Sequence, residues 1–134
     1  MGLEIRSECA GDEADIDVCV TRAFGSADEA NLVRMLRDWQ PGFDAELSIC
    51  AWDGEELVGH LVMTPVPMRM LGGRVSAAAV APVAVIPSRQ RQGIGGKMLA
   101  FGHELARSKG IELAFLTGHP SYYPRHGYQC RFGF

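Results

Sequence analysis

Hydrophobic residues recur at helical spacing through the first third of the chain, after a short alternating segment. Residues 3–9 alternate between apolar and polar side chains and predict an opening strand. From Asp12, and again after Ser26, apolar residues return every three or four positions, which predicts two helices. Pro41 and Gly42 are expected to end the second helix. The two apolar stripes comprise Ile16, Cys19, Val20 and Phe24, then Ala30, Leu32, Val33, Leu36 and Trp39.

The spacing of apolar residues changes to two at Leu47, which is typical of strands. Residues 47–52 and 56–63 alternate or run apolar on either side of Asp53-Gly54, a dipeptide that favours a tight hairpin turn. Pro65 and Pro67 follow the second strand, and we expect them to interrupt it with a bend or bulge. This part of the chain therefore predicts an antiparallel hairpin.

The rest of the chain predicts a strand, a helix and another strand. After a turn at Gly72-Gly73, residues 75–86 form an apolar run without alternation, which indicates burial on both faces. Residues 93–109 carry a helical stripe that Gly110 would cap, and residues 111–116 are apolar again. A strand–helix–strand unit normally makes a right-handed crossover, so we expect these two strands to be parallel. The stripe of this helix comprises Ile94, Met98, Phe101 and Leu105.

Composition narrows the class of protein to a single globular domain. The 134 residues have room for one core, 47% of them are apolar, and the net charge of −3 gives no basic surface for nucleic acid. The four cysteines form no C-x-x-C pair, which argues against zinc and favours reduced, buried thiols. Met1 is followed by a mixed segment without secretory character, and no apolar run is long enough to span a membrane. We expect a cytoplasmic protein that binds no metal, membrane or nucleic acid.

The most specific chemical feature is a glycine-rich segment between a buried strand and a helix. The strand stops at Pro87, and glycines open the helix, where free backbone amides and the helix dipole attract anions such as phosphate. Arg89, Arg91 and Lys97 add positive charge there. Met98 stands where the Walker pattern needs serine or threonine and the dinucleotide fingerprint needs glycine, so both patterns fail. A helix start that uses glycine only for close packing is the alternative.

Two motifs resemble those of the GNAT superfamily of N-acetyltransferases. Residues 83–99 resemble its acetyl-CoA signature, a strand ending in V-x-P followed by Q/R-x-x-G-x-G/A, with Gln90, Gly93 and Gly95 at the fixed positions. Residues 118–128 are similar to the later Y-x-x-x-G-F/Y motif, particularly in a bacterial subgroup with G-D/H-P-x-Y-Y-x-R-F-G-F. The order of elements agrees as well, so the resemblance covers nearly the whole chain.

The resemblance implies a fold, a co-substrate and a site. The fold is one α/β domain over residues 1–134, with a mixed sheet of antiparallel N-terminal strands, a splayed parallel pair and helices on both faces. The activity is direct transfer of an acetyl group from acetyl-CoA to a small-molecule or peptide amine. Tyr123 is the implied proton donor to the departing thiolate, with Tyr122 as its rival. The implied cofactor-binding residues are Val83, Ala84, Val85, Gln90, Arg91, Gln92, Gly93, Ile94, Gly95, Gly96 and Lys97.

Several expectations stay open at this point. The general base is one of His60, His119 and His126 by residue type, or water alone. Family members continue beyond the position of Phe134 through one or two strands on the acceptor side, so a natural short form, a truncated chain and a chain completed by a partner all fit. Alternation over residues 128–134 leads to the hypothesis of a homodimer. The competing functions are a non-catalytic acyl-CoA sensor and a nucleotide- or phosphate-binding protein.

Overall fold

The described residues fold around a five-stranded mixed sheet. The fold is taken from a computed structural model that describes residues 2–39 and 42–115, apart from the Met70 side chain. Neighbouring strands are antiparallel except for the last two, which are parallel as the sequence predicts. The strands, in both chain and sheet order, are β1 (Leu3–Ser7), β2 (Ser48–Asp53), β3 (Glu56–Met70), β4 (Gly73–Val85) and β5 (Leu113–Phe115). The helices are α1 (Glu13–Phe24), α2 (Asp28–Asp38) and α3 (Ile94–Ser108).

The helices lie on opposite faces of the sheet, as expected. A Cβ atom built on Gly102 of α3 would lie 2.9 Å from the Met63 Cε atom and 3.8 Å from the Ile49 Cγ1 atom, so α3 packs on the face that carries these two side chains. Ser48 precedes Ile49 and therefore points to the other face, because successive strand residues alternate. There, Glu8 bonds both Ser48 and Arg37 of α2. The predicted helix–sheet–helix arrangement is confirmed.

The predicted apolar stripes of the helices are too wide. Ile16, Cys19 and Val20 of α1 are buried, and so are Ala30 and Val33 of α2. Leu32 and Phe101 each stand one position before a buried residue, whereas Phe24 is the last residue of α1 and Trp39 lies beyond the end of α2. The predicted stripe residues that remain more than one third exposed are Phe24, Leu32, Trp39 and Phe101.

The prediction that Pro65 and Pro67 interrupt β3 is wrong. The strand runs from Glu56 to Met70, and both prolines stay in register with β4. β2 pairs with β3 only as far as Val62, so beyond that residue one edge of β3 has no described partner strand. Because the two prolines are two positions apart, their missing N–H groups fall on the same edge, and proline is tolerated on an unpaired edge.

The irregularity in this part of the sheet is a register shift that precedes the two prolines in β3. Register shifts between Leu61 and Met63, which pair with Val83 and Val80, so β4 carries one extra residue there. The prediction that β4 is buried on both faces also needs correction. From Val80 to Val85 its residues alternate between buried and half-buried, which leaves one side of its C-terminal half partly open.

Three cysteines in the described residues are free thiols. Cys19 and Cys50 are buried, and desolvation raises the pKa of each thiol to about 12. A thiol with so high a pKa is not a nucleophile at neutral pH. Cys9 is exposed, and Cys130 lies outside the described residues.

Candidate cofactor-binding site

The C-terminal half of β4 directs backbone groups away from β3. In an antiparallel pair, residues that exchange hydrogen bonds across the ladder alternate with residues whose backbone groups point outward. The Ile86 amide donates to the Val58 carbonyl at 2.9 Å. Ala84, two residues earlier in the same unbroken register, therefore also bonds β3. It follows that Val83 and Val85 point their N–H and C=O groups to the opposite edge of β4.

That outward edge lies beyond the described part of β5. The parallel ladder joins Ala77, Ala78 and Ala79 to β5 and reaches no further in the described residues. Gln90 folds back and donates its side-chain amide to the Val85 carbonyl at 3.0 Å, which fastens the following turn to the strand. The Val83 N–H and C=O groups and the Val85 N–H group remain directed to this edge.

The turn after β4 leads into a helix whose N-terminus carries no side-chain cap. Residues Pro87–Arg89 form a single 3-10 turn, and Arg91 and Gly93 then adopt left-handed backbone angles, with φ of 64° and 82°. Gly93 precedes α3 and cannot cap it with a side chain. The first amides of α3 have no acceptor within the helix, so they form a ready site for an anion.

The charges around this loop divide into one that is paired and two that are free. Arg89 donates to the Asp53 carboxylate at 2.6 Å and to the Gln92 side-chain oxygen at 3.0 Å. The expectation that Arg89 adds free positive charge is therefore wrong, because Asp53 offsets it. Arg91 and Lys97 are exposed and make no ion pair with any described residue. These two side chains can meet an anionic ligand.

The start of α3 is anchored to the sheet by its apolar residues. Ile94 is 3% exposed and Gly95 is buried, whereas Gly96 is half-buried. A Cβ atom built on Gly59 would lie 3.2 Å from both the Ile94 Cγ2 atom and the Ala84 carbonyl oxygen, so the helix start sits directly against β3. The Ile94 side chain belongs to the core, and only its backbone amide is available to a ligand.

His60 does not qualify as the general base. Its side chain is fully buried, and its Nε2 atom lies 2.7 Å from the Ser48 hydroxyl oxygen. The Ser48 hydroxyl donates its single proton to Glu8, so it accepts from the Nε2–H group of His60. Desolvation, together with the positive charge of Arg37, lowers the pKa of His60 to about 3. The imidazole is therefore neutral near pH 7 and has no path to an incoming amine.

The remaining candidate catalytic residues lie outside the described residues. Tyr122, Tyr123, His119 and His126 fall between residues 116 and 134, and their roles stay predictions. Within residues 2–39 and 42–115, no group of three or more His, Cys, Asp or Glu side chains is arranged to hold a metal ion. No helix in that same part of the chain has the length and apolar character needed to cross a bilayer.

Some polar residues of the sheet escape prediction from sequence. Ser48, His60 and Thr64 are buried on strands whose other inward positions are apolar. The sequence did offer one signal for these residues. Strand alternation predicts burial at their positions, and a buried polar group needs a partner inside the protein.

Comparison with known proteins identifies the family. The sequence profile of the acetyltransferase (GNAT) domain family matches residues 4–131. The chain belongs to the GNAT acetyltransferase family. The outward-facing edge of β4 and the uncapped N-terminus of α3 therefore belong to a domain of the family that the two sequence motifs resemble.

Two relatives come from Escherichia coli K12. The uncharacterized N-acetyltransferase YjhQ is 36% identical over 118 residues, which cover 88% of this chain and 65% of YjhQ. The uncharacterized N-acetyltransferase YhbS is 30% identical over 126 residues, covering 93% of this chain and 72% of YhbS. The chain thus spans slightly less than two thirds of YjhQ.

Two solved structures share the fold. A GNAT family acetyltransferase from Brucella melitensis in complex with acetyl-CoA superposes with a TM-score of 0.85 at 30% identity, over 96% of this chain and 84% of that one. YhbS from Escherichia coli in complex with CoA gives a TM-score of 0.83 at 28% identity, over 95% of this chain and 68% of that one.

Proposed function

We propose that this chain transfers an acetyl group directly from acetyl-CoA to a primary amine. The observation that carries the proposal is the continuity between the outward edge of β4 and the uncapped start of α3. The β4 edge offers backbone groups to an extended amide-containing arm, and the start of α3 offers free amides to a pyrophosphate. Relatives named as N-acetyltransferases and a neighbour in complex with acetyl-CoA support this choice of co-substrate.

The proposed placement of acetyl-CoA follows the order of these groups. The pyrophosphate lies against the amides of residues 91–96, with Arg91 and Lys97 as counter-charges. The pantetheine arm runs along β4 and bonds the outward backbone groups of Val83 and Val85. Ala84 and Gln90 act indirectly. Ala84 hydrogen-bonds β3 and so fixes the position of β4, and Gln90 holds the turn against Val85. Gln92 acts through Arg89, because its side-chain oxygen accepts a hydrogen bond from the Arg89 guanidinium.

The proposed chemistry is a single displacement at the thioester carbonyl. The neutral amine attacks the carbonyl carbon, a C–N bond forms, and the C–S bond breaks as the tetrahedral intermediate collapses. The amine loses one proton and the departing sulfur of CoA gains one. Tyr123 is the proposed donor of that second proton, on the strength of the family motif alone. CoA leaves more easily when its sulfur atom is protonated as the C–S bond breaks.

The experiment measures acetyl-CoA consumption over a panel of aliphatic amines, amino acids, polyamines and peptides. We expect the wild-type chain to release free CoA with at least one amine. The Arg91→Ala/Lys97→Ala double variant should raise the Kd for CoA by about tenfold or more, because two free charges facing the phosphates are lost. Arg107→Ala removes an exposed charge at the far end of the same helix and should leave the Kd unchanged.

Two results would count against the proposal. Equal Kd values for CoA in the double variant and in Arg107→Ala would remove the anion site from the α3 N-terminus. CoA binding without thioester consumption over the whole panel would favour the non-catalytic sensor.

A further inference from the structure

Asp53 lies at the end of β2, in the β2–β3 hairpin, but interacts with the loop that precedes α3. Its carboxylate accepts a hydrogen bond from the Arg89 Nη1 atom at 2.6 Å. The side chains of Asp53 and Arg89 are 33% and 27% exposed, so salt and water screen this ion pair only in part. The contact joins segments that are 36 positions apart in the sequence. Asp53 belongs to neither of the two sequence motifs.

The guanidinium of Arg89 also holds a second residue of the loop. Its Nε atom donates to the Gln92 side-chain oxygen at 3.0 Å, while its Nη1 atom donates to Asp53. The guanidinium nitrogens lie in one rigid plane, so fixing one of them limits the directions in which the others can point. Asp53 therefore sets the orientation of Arg89, and Arg89 in turn sets the position of Gln92.

The loop between these contacts contains a residue with a costly backbone conformation. Arg91 has a φ of 64°, a left-handed angle that non-glycine residues seldom adopt. Such a conformation persists where the surrounding structure holds it. On one side of Arg91, Gln90 bonds the last residue of β4. On the other side, Gln92 is held by Arg89, and this second restraint depends on Asp53.

The restrained backbone is the part of the loop that the proposed pyrophosphate site uses. The amides of residues 91–96 face the pyrophosphate in the proposed placement of acetyl-CoA. Residues 91–93 are exposed, whereas Ile94 is buried, so packing against the sheet holds only the second half of this stretch. The first half relies on side-chain bonds. A site whose groups are already in place loses less conformational entropy when the ligand binds.

We propose that Asp53 is a positioning residue for CoA binding, which acts through Arg89 and Gln92 to keep the loop in the conformation that receives the pyrophosphate. This inference rests on the proposed function. A carboxylate near the loop also repels phosphate, but Arg89 offsets its charge at 2.6 Å. Without Asp53, the Arg89 side chain would rotate freely, and a freely rotating exposed side chain gains little from a new ionic contact. Positioning is therefore the larger of the two effects.

The substitution Asp53→Asn tests the inference because it removes the charge and keeps the turn. Asn-Gly favours the same tight hairpin as Asp-Gly, so we expect the fold to persist. The Kd for CoA in titration calorimetry should rise about fivefold, as expected for the loss of one partly exposed ion pair. Glu56→Gln is the matched control, because it removes an equal charge from the same hairpin. Glu56 bonds Arg22 of α1 instead of the loop, so this variant should keep the wild-type Kd.

Three further measurements separate positioning from other roles of the carboxylate. In an Arg89→Gln background, Asp53→Asn should change the Kd for CoA no further, because the effect passes through Arg89. Asp53→Glu restores a carboxylate and should recover part of the lost affinity. With the amine that consumes acetyl-CoA fastest, Asp53→Asn should raise KM for acetyl-CoA and leave kcat unchanged.

Several results would overturn the inference. A lower Kd in Asp53→Asn than in the wild-type chain would mean that the carboxylate mainly repels phosphate. An unchanged Kd, with or without a lower Tm, would limit Asp53 to a structural role. An equal loss of affinity in Glu56→Gln would assign the effect to the charge of the hairpin in general. A further rise in Kd in the Arg89→Gln background would show that Asp53 acts by another route.

Failure of the proposed function can be distinguished from failure of this inference. If the wild-type chain binds no CoA, both fail together. If it binds CoA but consumes no thioester with any amine, the proposed catalysis fails, and the comparison of Kd values still decides the role of Asp53.

Discussion

Gly93 gives the sharpest test of the phosphate site, because backbone conformation and ligand access can be separated there. Its φ is 82°, and a Cβ atom built on it meets no atom within 4 Å. Asparagine tolerates left-handed angles better than most residues, so Gly93→Asn should cost about 1 kcal/mol or less of folding stability. The new side chain would enter the space through which a phosphate reaches the first amides of α3. We therefore expect the Kd for CoA to rise at least about tenfold, or about 1.4 kcal/mol.

A matched control exists at the end of α1. Gly25 has a φ of 70° and is equally open around its Cβ position, but it terminates a different helix. Gly25→Asn should lose a similar amount of stability and retain wild-type CoA affinity. Thermal denaturation measures the first quantity for both variants, and titration calorimetry measures the second. Wild-type CoA affinity in Gly93→Asn, at equal stability of the two variants, would refute the phosphate site.

The remaining predictions concern packing, buried charge and proton donation. Gly59→Ala should destabilise the fold by about 1–3 kcal/mol and weaken CoA binding, because its Cβ would lie 3.2 Å from a backbone oxygen of β4. Both Cβ atoms would also meet the flexible end of a methionine, but Gly102→Ala should be milder, since no backbone atom is among the nearest neighbours of its Cβ. Glu8→Ala should cost about 3–5 kcal/mol in urea denaturation, because the half-buried Arg37 loses its closest partner. Tyr123→Phe should lower kcat by about 10²-fold or more without changing the Kd for CoA.

Each of these predictions has its own control. If Gly102→Ala destabilises the fold as much as Gly59→Ala, the proximity of Gly59 to the β4 backbone is not what matters. Glu13 also contacts Arg37, at 3.4 Å, but its side chain is 65% exposed. Glu13→Ala should therefore change stability by only about 0.5 kcal/mol, and an equal loss in both variants would contradict the role of Glu8. A kcat loss in Tyr122→Phe instead of Tyr123→Phe would move proton donation to Tyr122.

Much of the fold could be predicted from the sequence because short-range signals determine it. The turn at Asp53-Gly54, the helix start after Gly93 and the parallel pairing of β4 with β5 all follow from short-range signals. Gly54 and Gly93 have positive φ, which glycine adopts without penalty. These signals act within a few residues, so the sequence carries them directly.

Contacts between distant segments set the features that prediction missed. Arg89 is neutralised by Asp53, which is 36 positions away, and no spacing rule connects the two. Pro65 is compatible with β3 only because β2 ends earlier, which depends on strand lengths. In each case a partner from elsewhere in the chain decides the outcome.

The measurement that tests the central claim most directly is a titration of the ¹⁵N-labelled chain with CoA, followed through its backbone amide signals. We expect the largest shifts at Val83, at Val85 and in the loop 91–96, where amides face the proposed ligand. Amides of α1, which lies on the other face of the sheet from α3, should shift little. Saturable shifts confined to residues away from β4 and the α3 N-terminus, or no shifts at millimolar CoA, would contradict the proposed acetyl-CoA site.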